Sequence, residues 1–412
     1  MNYFDDIRPV NNDEIAENLQ SLLSDASFVH LIKTYFPMVN LDQIAQASSR
    51  FSNLVEFQNM VIRPILEALI STSATSLTVS GEEHITSSPT LFISNHRDIV
   101  MDPSLLALSL MRTTGTTCEI AIGDNLLAAE WIRTLVRLNR CFIVKRGLSP
   151  RDMAKSFMQL SSYIRYAITE KRVSAWIAQR EGRAKDSSDH TQDSVLKMLA
   201  LGGEGTIVEK LKALNIVPLT ISYEYDPCDY LKAAEFQLKR DNADYKKTKA
   251  DDLLSMQTGI TGYKGRIHYA FTPCINPKLD EIVQNCTNKK EQAAAVCAAD
   301  GGALWPAGLF RASSLGGPSL YAAGHPPVLD AVCHHRLFPA GGLFLPAVPA
   351  GRANWGYFCR RLAGIRSGLR PLAGVVPAVL HPSAQKAMGK GENYAGGDSL
   401  PAGSLLGGGL LP

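Results

Sequence analysis

Residues 90–106 read TLFISNHRDIVMDPSLL, and the fold turns on how that stretch is interpreted. Leu91, Phe92 and Ile93 form a short apolar run of the kind that makes a buried strand. From Ser94 to Asp98 the chain turns polar at once, and helix formers resume after Pro103. Polar residues just past a buried strand are where α/β proteins hold reactive groups. The seven residues from His96 to Asp102 carry one imidazole, one guanidinium and two carboxylates. A hydroxyl is a poor nucleophile near neutral pH, and an imidazole oriented by a carboxylate can activate it. His96 is therefore the candidate general base, with Asp98 or Asp102 as its partner.

The same rhythm continues on either side. Apolar runs at 91–93, 119–122, 141–144, 173–178 and 216–222 alternate with helix-length segments at 126–138, 153–170 and 193–214. This order predicts an α/β domain over residues 76–297, a mixed, largely parallel sheet flanked by helices. A further strand is expected at 266–271 and a closing helix at 280–297. Between them, 226–256 is rich in charge (QLKRDNADYKKTKADD) and is expected to be a mostly solvated insertion. Residues 1–75 read as a small helical region, capped at Asn12 or Asp13, with Pro64 expected to kink its last helix. It either packs as a collar on the main domain or offers an amphipathic face to a membrane; Glu56 and Glu67 weaken that face against anionic lipid.

Beyond residue 297 the composition breaks. Residues 301–412 hold 12 of the 22 prolines and more than half of the 32 glycines, but three of the 39 acidic residues. Either a natural Gly/Pro/Ala-rich tail or out-of-frame translation past a frameshift gives such a pattern. In both cases 298–412 is expected to form no stable core.

A formal net charge of +3 gives no reason to expect a nucleic-acid partner. The eight cysteines include no C-x-x-C pair and no zinc spacing, which fits a reducing cytosol. The N-terminus MNYFDDIRPVNNDE is acidic and lacks the apolar core of a secretory signal.

Three more blocks share the design of the first. In Cys141-Phe142-Ile143-Val144-Lys145-Arg146-Gly147 a buried strand ends in two cations, which suit an anionic group. In Trp176-Ile177-Ala178-Gln179-Arg180-Glu181-Gly182-Arg183-Ala184-Lys185 another strand delivers arginines around a glutamate, and Gly182 lets backbone approach a ligand. Gly203-Glu204-Gly205-Thr206 follows a helix instead and is expected to be a helix end and turn. The fourth block, Ile216-Val217-Pro218-Leu219-Thr220-Ile221-Ser222-Tyr223-Glu224, is a strand whose proline predicts an edge position or a strand start. His96-Arg97-Asp98 also matches a protein kinase loop, but Pro103 stands where the kinase asparagine belongs.

Taken in order, the four blocks resemble the 1-acylglycerol-3-phosphate and glycerol-3-phosphate O-acyltransferases of the lysophospholipid acyltransferase superfamily, over roughly residues 80–275. Asn95, His96 and Asp102-Pro103 match the first motif, with five residues between His96 and Asp102 instead of four. Phe142 and Arg146 match the second, Glu181 and Gly182 the third, and Val217 and Pro218 the fourth. Arg183 replaces the family's threonine, adding a cation.

The resemblance implies transfer of a fatty acyl group from acyl-CoA or acyl carrier protein to a hydroxyl of a lysophospholipid or glycerol phosphate, in phospholipid biosynthesis. His96 would be the base, oriented by Asp102 or Asp98. Arg146, Arg183 and Arg180 would clamp the acceptor phosphate, with Asn95, Arg97, Lys145, Glu181 and Gly182 completing the substrate site. No metal or other cofactor is implied. The protein is expected to be cytoplasmic and peripheral at the inner face of the membrane. The alternatives are a non-phosphate acceptor such as an amino-acid lyso-lipid, or a non-catalytic lipid-binding protein.

Overall fold

The computed structural model describes residues 3–185, 189 and 191–298. The tail expected beyond residue 297 lies, from 299 on, outside them. Among the described residues seven strands form one sheet: β1 (Ser76–Ser80), β2 (Leu91–Ser94), β3 (Glu119–Gly123), β4 (Cys141–Val144), β5 (Ala175–Ala178), β6 (Ile216–Tyr223) and β7 (Arg266–Phe271). Their spatial order is β1-β7-β6-β2-β5-β3-β4, and every pair is parallel except β6 with β7. The mixed, largely parallel sheet read from the sequence is thus the observed one. Helices α1 (Ile15–Ser24), α2 (Ala26–Tyr35), α3 (Leu41–Ala47), α4 (Leu54–Phe57) and α5 (Arg63–Ser73) precede it. Nine follow between and after the strands: α6 (Met101–Thr114), α7 (Glu130–Leu138), α8 (Pro150–Thr169), α9 (Asp193–Leu199), α10 (Ile207–Lys212), α11 (Asp229–Asp241), α12 (Lys249–Thr261), α13 (Asn276–Asn285) and α14 (Lys289–Ala298).

Strand β2 is apolar throughout because both of its faces are covered. Leu91 and Ile93 enter one core with Ile177, Ile216 and the α8 residues Leu160 and Ile164. Phe92 enters the other with Trp176, Val217 and the α6 residues Leu105 and Leu106. Each such side chain, fully buried, stabilises the fold by about 1.5–3 kcal/mol. β2 lies between β5 and β6, so its C-terminal end opens at the middle of the sheet, where an α/β fold forms its binding crevice. The N-terminal helices build a third core from Ile15, Leu19, Phe28, Leu54 and Phe57, packed on Leu138 and Trp131 of α7.

Several local expectations are corrected. Strand β1 has no apolar run, and its Ser-Leu-Thr-Val-Ser composition hides it. The helix expected at 193–214 breaks into α9 and α10 at Gly203 and Gly205, with φ of +79° and +100°. Thr206 restarts it, its hydroxyl accepting from Glu209 N at 3.2 Å while Glu209 accepts from Thr206 N at 2.6 Å. Pro64 stands at the start of α5, directly after a π-helical turn at Gln58–Ile62 that absorbs the missing donor. Pro218 lies on an interior strand and not at an edge: β6 pairs with β7 from Leu219 onward, so the absent N–H falls at the end of that ladder. The charged insertion at 226–256 is mostly exposed, as expected, but it is helical, forming most of α11 and α12, and Cys228, Lys232, Glu235 and Ser255 are buried within it.

Lys264 joins these helices to the sheet. Its buried ammonium donates to Gly262 O at 2.7 Å, Ile260 O at 3.0 Å and Ser73 Oγ at 3.2 Å, tying the ends of α12 and α5 together. Burial pushes this amine down to about 8, against about 10.4 in an unfolded chain. Between those values the unfolded chain holds more protons, so this group makes stability rise with pH across that window. In Lys264→Met the rise should flatten, read as the slope of the urea unfolding midpoint between about pH 8 and 10.

Candidate active site

His96 follows β2 directly, and its Nδ1 lies 2.8 Å from Asp102 Oδ2. Asp102 sits in the first turn of α6, where the positive end of the helix favours a carboxylate. The same Oδ2 accepts from Arg97 N at 2.6 Å and Asp98 N at 3.0 Å, and Oδ1 accepts from the Tyr223 hydroxyl at 2.8 Å. Tyr269 donates to the Asp102 carbonyl at 2.8 Å. Burial pushes the Asp102 carboxyl up, but the bonds from His96, Asp98 and Arg97 outweigh it and hold the group below the usual carboxylate range.

Asp98 faces elsewhere. Its Oδ1 accepts from Val100 N at 2.9 Å and Met101 N at 2.8 Å, so it caps the start of α6. Burial pushes this carboxyl up, and the charge of Asp102 adds to the rise. Two carboxyls four residues apart are thus driven in opposite directions, which gives them separate roles.

The imidazole is 15 % exposed, and its ring meets Trp176 edge-on with centroids 5.8 Å apart. The Trp176 indole donates to Ser94 Oγ at 2.9 Å, fixing that wall. His96 O accepts from Ala184 N at 2.9 Å, which brings the third sequence block against the first.

The candidate substrate-binding residues divide by partner. Asn95 is buried and extends the ladder to β6 through its side chain, donating to Ile221 O at 2.9 Å and accepting from Ile221 N at 2.8 Å. Arg97 pairs with buried Asp189, Lys145 with Asp6 and Lys185 with Glu235 of α11. Arg146 Nη1 donates to Glu181 at 2.7 Å, and its backbone N–H to Asp124 at 3.1 Å. A side chain at Gly123 would come within 2.7 Å of Arg146 Nε, so that glycine makes room for the guanidinium. Gly182 turns at φ +72°. Burial raises the Asp189 carboxyl, and the charges of Arg97 and Arg180 oppose that rise. Arg183 is 7 % exposed, and its Nη1 is buried with no hydrogen-bond partner among the described residues. Its charge reaches Asp98 and Cys228.

Residues 76–222, the span that holds all four blocks, match the family model described as acyltransferase. Over this span the chain is similar to that family. A solved structure from Thermotoga maritima, the 1-acyl-sn-glycerophosphate (LPA) acyltransferase PlsC, is similar at 13% identity, covering 71% of this chain and 94% of that one with a TM-score of 0.37. No curated protein matches the chain.

The site also draws on residues that the four blocks did not single out. Tyr223 and Tyr269 hold Asp102 from β6 and β7, and Asp189 holds Arg97. Lys232 reaches in from α11, past the family match, to donate to Arg97 O at 2.6 Å and to pair with Asp226. Gly259 of α12 lies flat against Asp98. Tyr223, in the fourth block, and Tyr269, in the strand expected at 266–271, carried a local signal; Asp189, Lys232 and Gly259 carried none.

Proposed function

We propose that the protein transfers a fatty acyl group from a thioester, acyl-CoA or acyl carrier protein, to a hydroxyl of a lysophospholipid or glycerol phosphate. The observation that carries this reading is the 2.8 Å contact between His96 and Asp102 at the end of β2, with the buried Nη1 of Arg183, which has no hydrogen-bond partner among the described residues, on the neighbouring segment. With Nδ1–H donating to Asp102, Nε2 is the nitrogen left to accept a proton. It takes that proton as the acceptor oxygen attacks the thioester carbonyl, and Asp102 steadies the imidazolium. The thiolate then leaves, and the imidazolium returns the proton to it. Arg183, with Arg146 and Arg180, holds the acceptor phosphate, so that the hydroxyl attacks from a fixed position. No metal ion or other cofactor takes part in this scheme.

The proposed place of action is the cytoplasmic face of the membrane, as a peripheral protein, because a lysophospholipid acceptor and the acylated product reside in that interface. No helix among the described residues is long and apolar enough to cross a bilayer.

Release of free thiol from acyl-CoA and from acyl carrier protein, measured against a panel of lyso-lipids, tests the reading directly. Transfer is expected with phosphate-bearing acceptors. Arg183→Gln should then raise the KM for them by about 10-fold or more, since it removes a charged hydrogen-bond donor, while kcat changes less. If no phosphate-bearing acceptor is acylated, the reading fails. A mild Arg183→Gln with an active non-phosphate acceptor points to an amino-acid lyso-lipid instead.

A further inference from the structure

We propose that Tyr223 is a positioning residue that sets how readily His96 takes a proton, by holding the far oxygen of Asp102. The proposal rests on the general-base reading of His96 and deepens it. Asp102 Oδ2 receives three donors, His96 Nδ1, Arg97 N and Asp98 N, whereas Oδ1 receives the Tyr223 hydroxyl at 2.8 Å. That phenol is buried and stays protonated, because burial and the neighbouring Asp102 charge push its pKa far up. It is therefore a permanent donor.

Two consequences follow from this placement. A carboxylate can turn about its Cβ–Cγ bond, and a donor on Oδ1 opposes a turn that would take Oδ2 out of the imidazole plane. The same donor draws negative charge toward Oδ1, so Oδ2 stabilises the imidazolium less than an unshared carboxylate would. Tyr223 in this way limits how strongly Asp102 favours the protonated imidazole while holding that carboxylate still.

The other charged or titratable groups around the pair come from several elements. Asp98 lies in the loop before α6, Arg183 in the segment after β5, Cys228 before α11, and Lys264 and Tyr269 on the approach to β7 and within it. Of these, Tyr269 offers a matched comparison. It is as deeply buried as Tyr223, but its hydroxyl donates to the Asp102 backbone carbonyl and not to the carboxylate.

The test compares Tyr223→Phe and Tyr269→Phe in the full chain, each of which keeps its ring in the core. Tyr223→Phe is expected to move the acid limb of the kcat–pH profile upward by up to about one pH unit and to lower kcat at neutral pH by up to about 10-fold, with the KM for acceptor unchanged. Tyr269→Phe should leave the position of the acid limb where it is, whatever it does to the size of kcat. A second readout needs no catalysis: the pH dependence of diethyl pyrocarbonate modification at His96, followed by peptide mass, should shift upward in Tyr223→Phe alone. If the modification profile shifts while kcat does not respond, the link from Tyr223 to His96 stands and the general-base reading falls. An unmoved modification profile, or equal shifts in both variants, makes Tyr223 a packing residue and overturns the proposal.

Discussion

His96→Ala is expected to slow acyl transfer by ~10²–10⁴-fold, and Asp102→Asn by nearly as much, while Asp98→Asn keeps most of the rate. The contrast between the two aspartates follows from what each oxygen touches. In Asp102→Asn the amide oxygen takes the place of Oδ2, because Arg97 N and Asp98 N both need an acceptor there. His96 Nδ1–H can still donate to that oxygen, so the tautomer survives. What disappears is the negative charge that stabilises the imidazolium in the transition state, and in a buried site that charge matters most. Asp98 differs because burial and Asp102 already push its carboxyl toward the neutral form. An asparagine there resembles the protonated acid and still accepts from Val100 N and Met101 N through its carbonyl. Initial rates at saturating donor and acceptor, with thermal unfolding of each variant as a check on folding, separate these outcomes. A His96→Ala protein that keeps a sizeable fraction of the rate removes His96 from the chemistry. Equal losses in the two asparagine variants remove the distinction between the carboxylates.

Local spacing made part of this site legible in the sequence. His96 and Asp102 are joined by a short loop and the first turn of α6, so their meeting depends on nearby backbone alone. The alternation of apolar runs and helix periods likewise exposed most of the sheet, because strands covered on both faces leave continuous apolar stretches. The roles of the cations were hidden for the opposite reason. Arg97 and Asp189 are 92 residues apart, and Lys145 meets Asp6 across 139. Which arginine keeps an unpaired nitrogen is decided by those distant partners and by no property of its neighbours. The insertion is mostly solvated as expected, but two of its charges are not: Lys232 and Glu235, three apart on α11, look like a solvated charge pair. Both are instead buried against cations, anions and a carbonyl of the site loop. Burying charge is costly unless it is paired, and the pairing is invisible until the fold is known.

The largest expected effect on stability comes from that insertion, at Gly259. In most helix interiors Gly→Ala stabilises by roughly 1 kcal/mol, because alanine restricts the unfolded chain and favours the helix. Here the sign should reverse. A Cβ on Gly259 would lie 2.0 Å from Asp98 Oδ2 and 2.8 Å from its Cγ, well inside contact distance. Asp98 is itself fixed, since its other oxygen holds the two N–H groups that open α6. Gly259→Ala must therefore drive the carboxylate off the helix end or push α12 away from the site. Overpacking and loss of the cap together should destabilise the protein by about 2–4 kcal/mol. They should also slow transfer, because the first turn of α6 carries Asp102. The decisive comparison is with Asp98→Ala, which deletes every atom the new methyl would strike closer than 3 Å. In that background Gly259→Ala should cost little or nothing, giving a coupling of roughly 2–3 kcal/mol between the two positions. Urea unfolding of the wild type, both single variants and the double variant measures it. An equal cost in both backgrounds would place the clash somewhere other than Asp98, and the insertion would then lose its hold on the helix that presents the His96 partner.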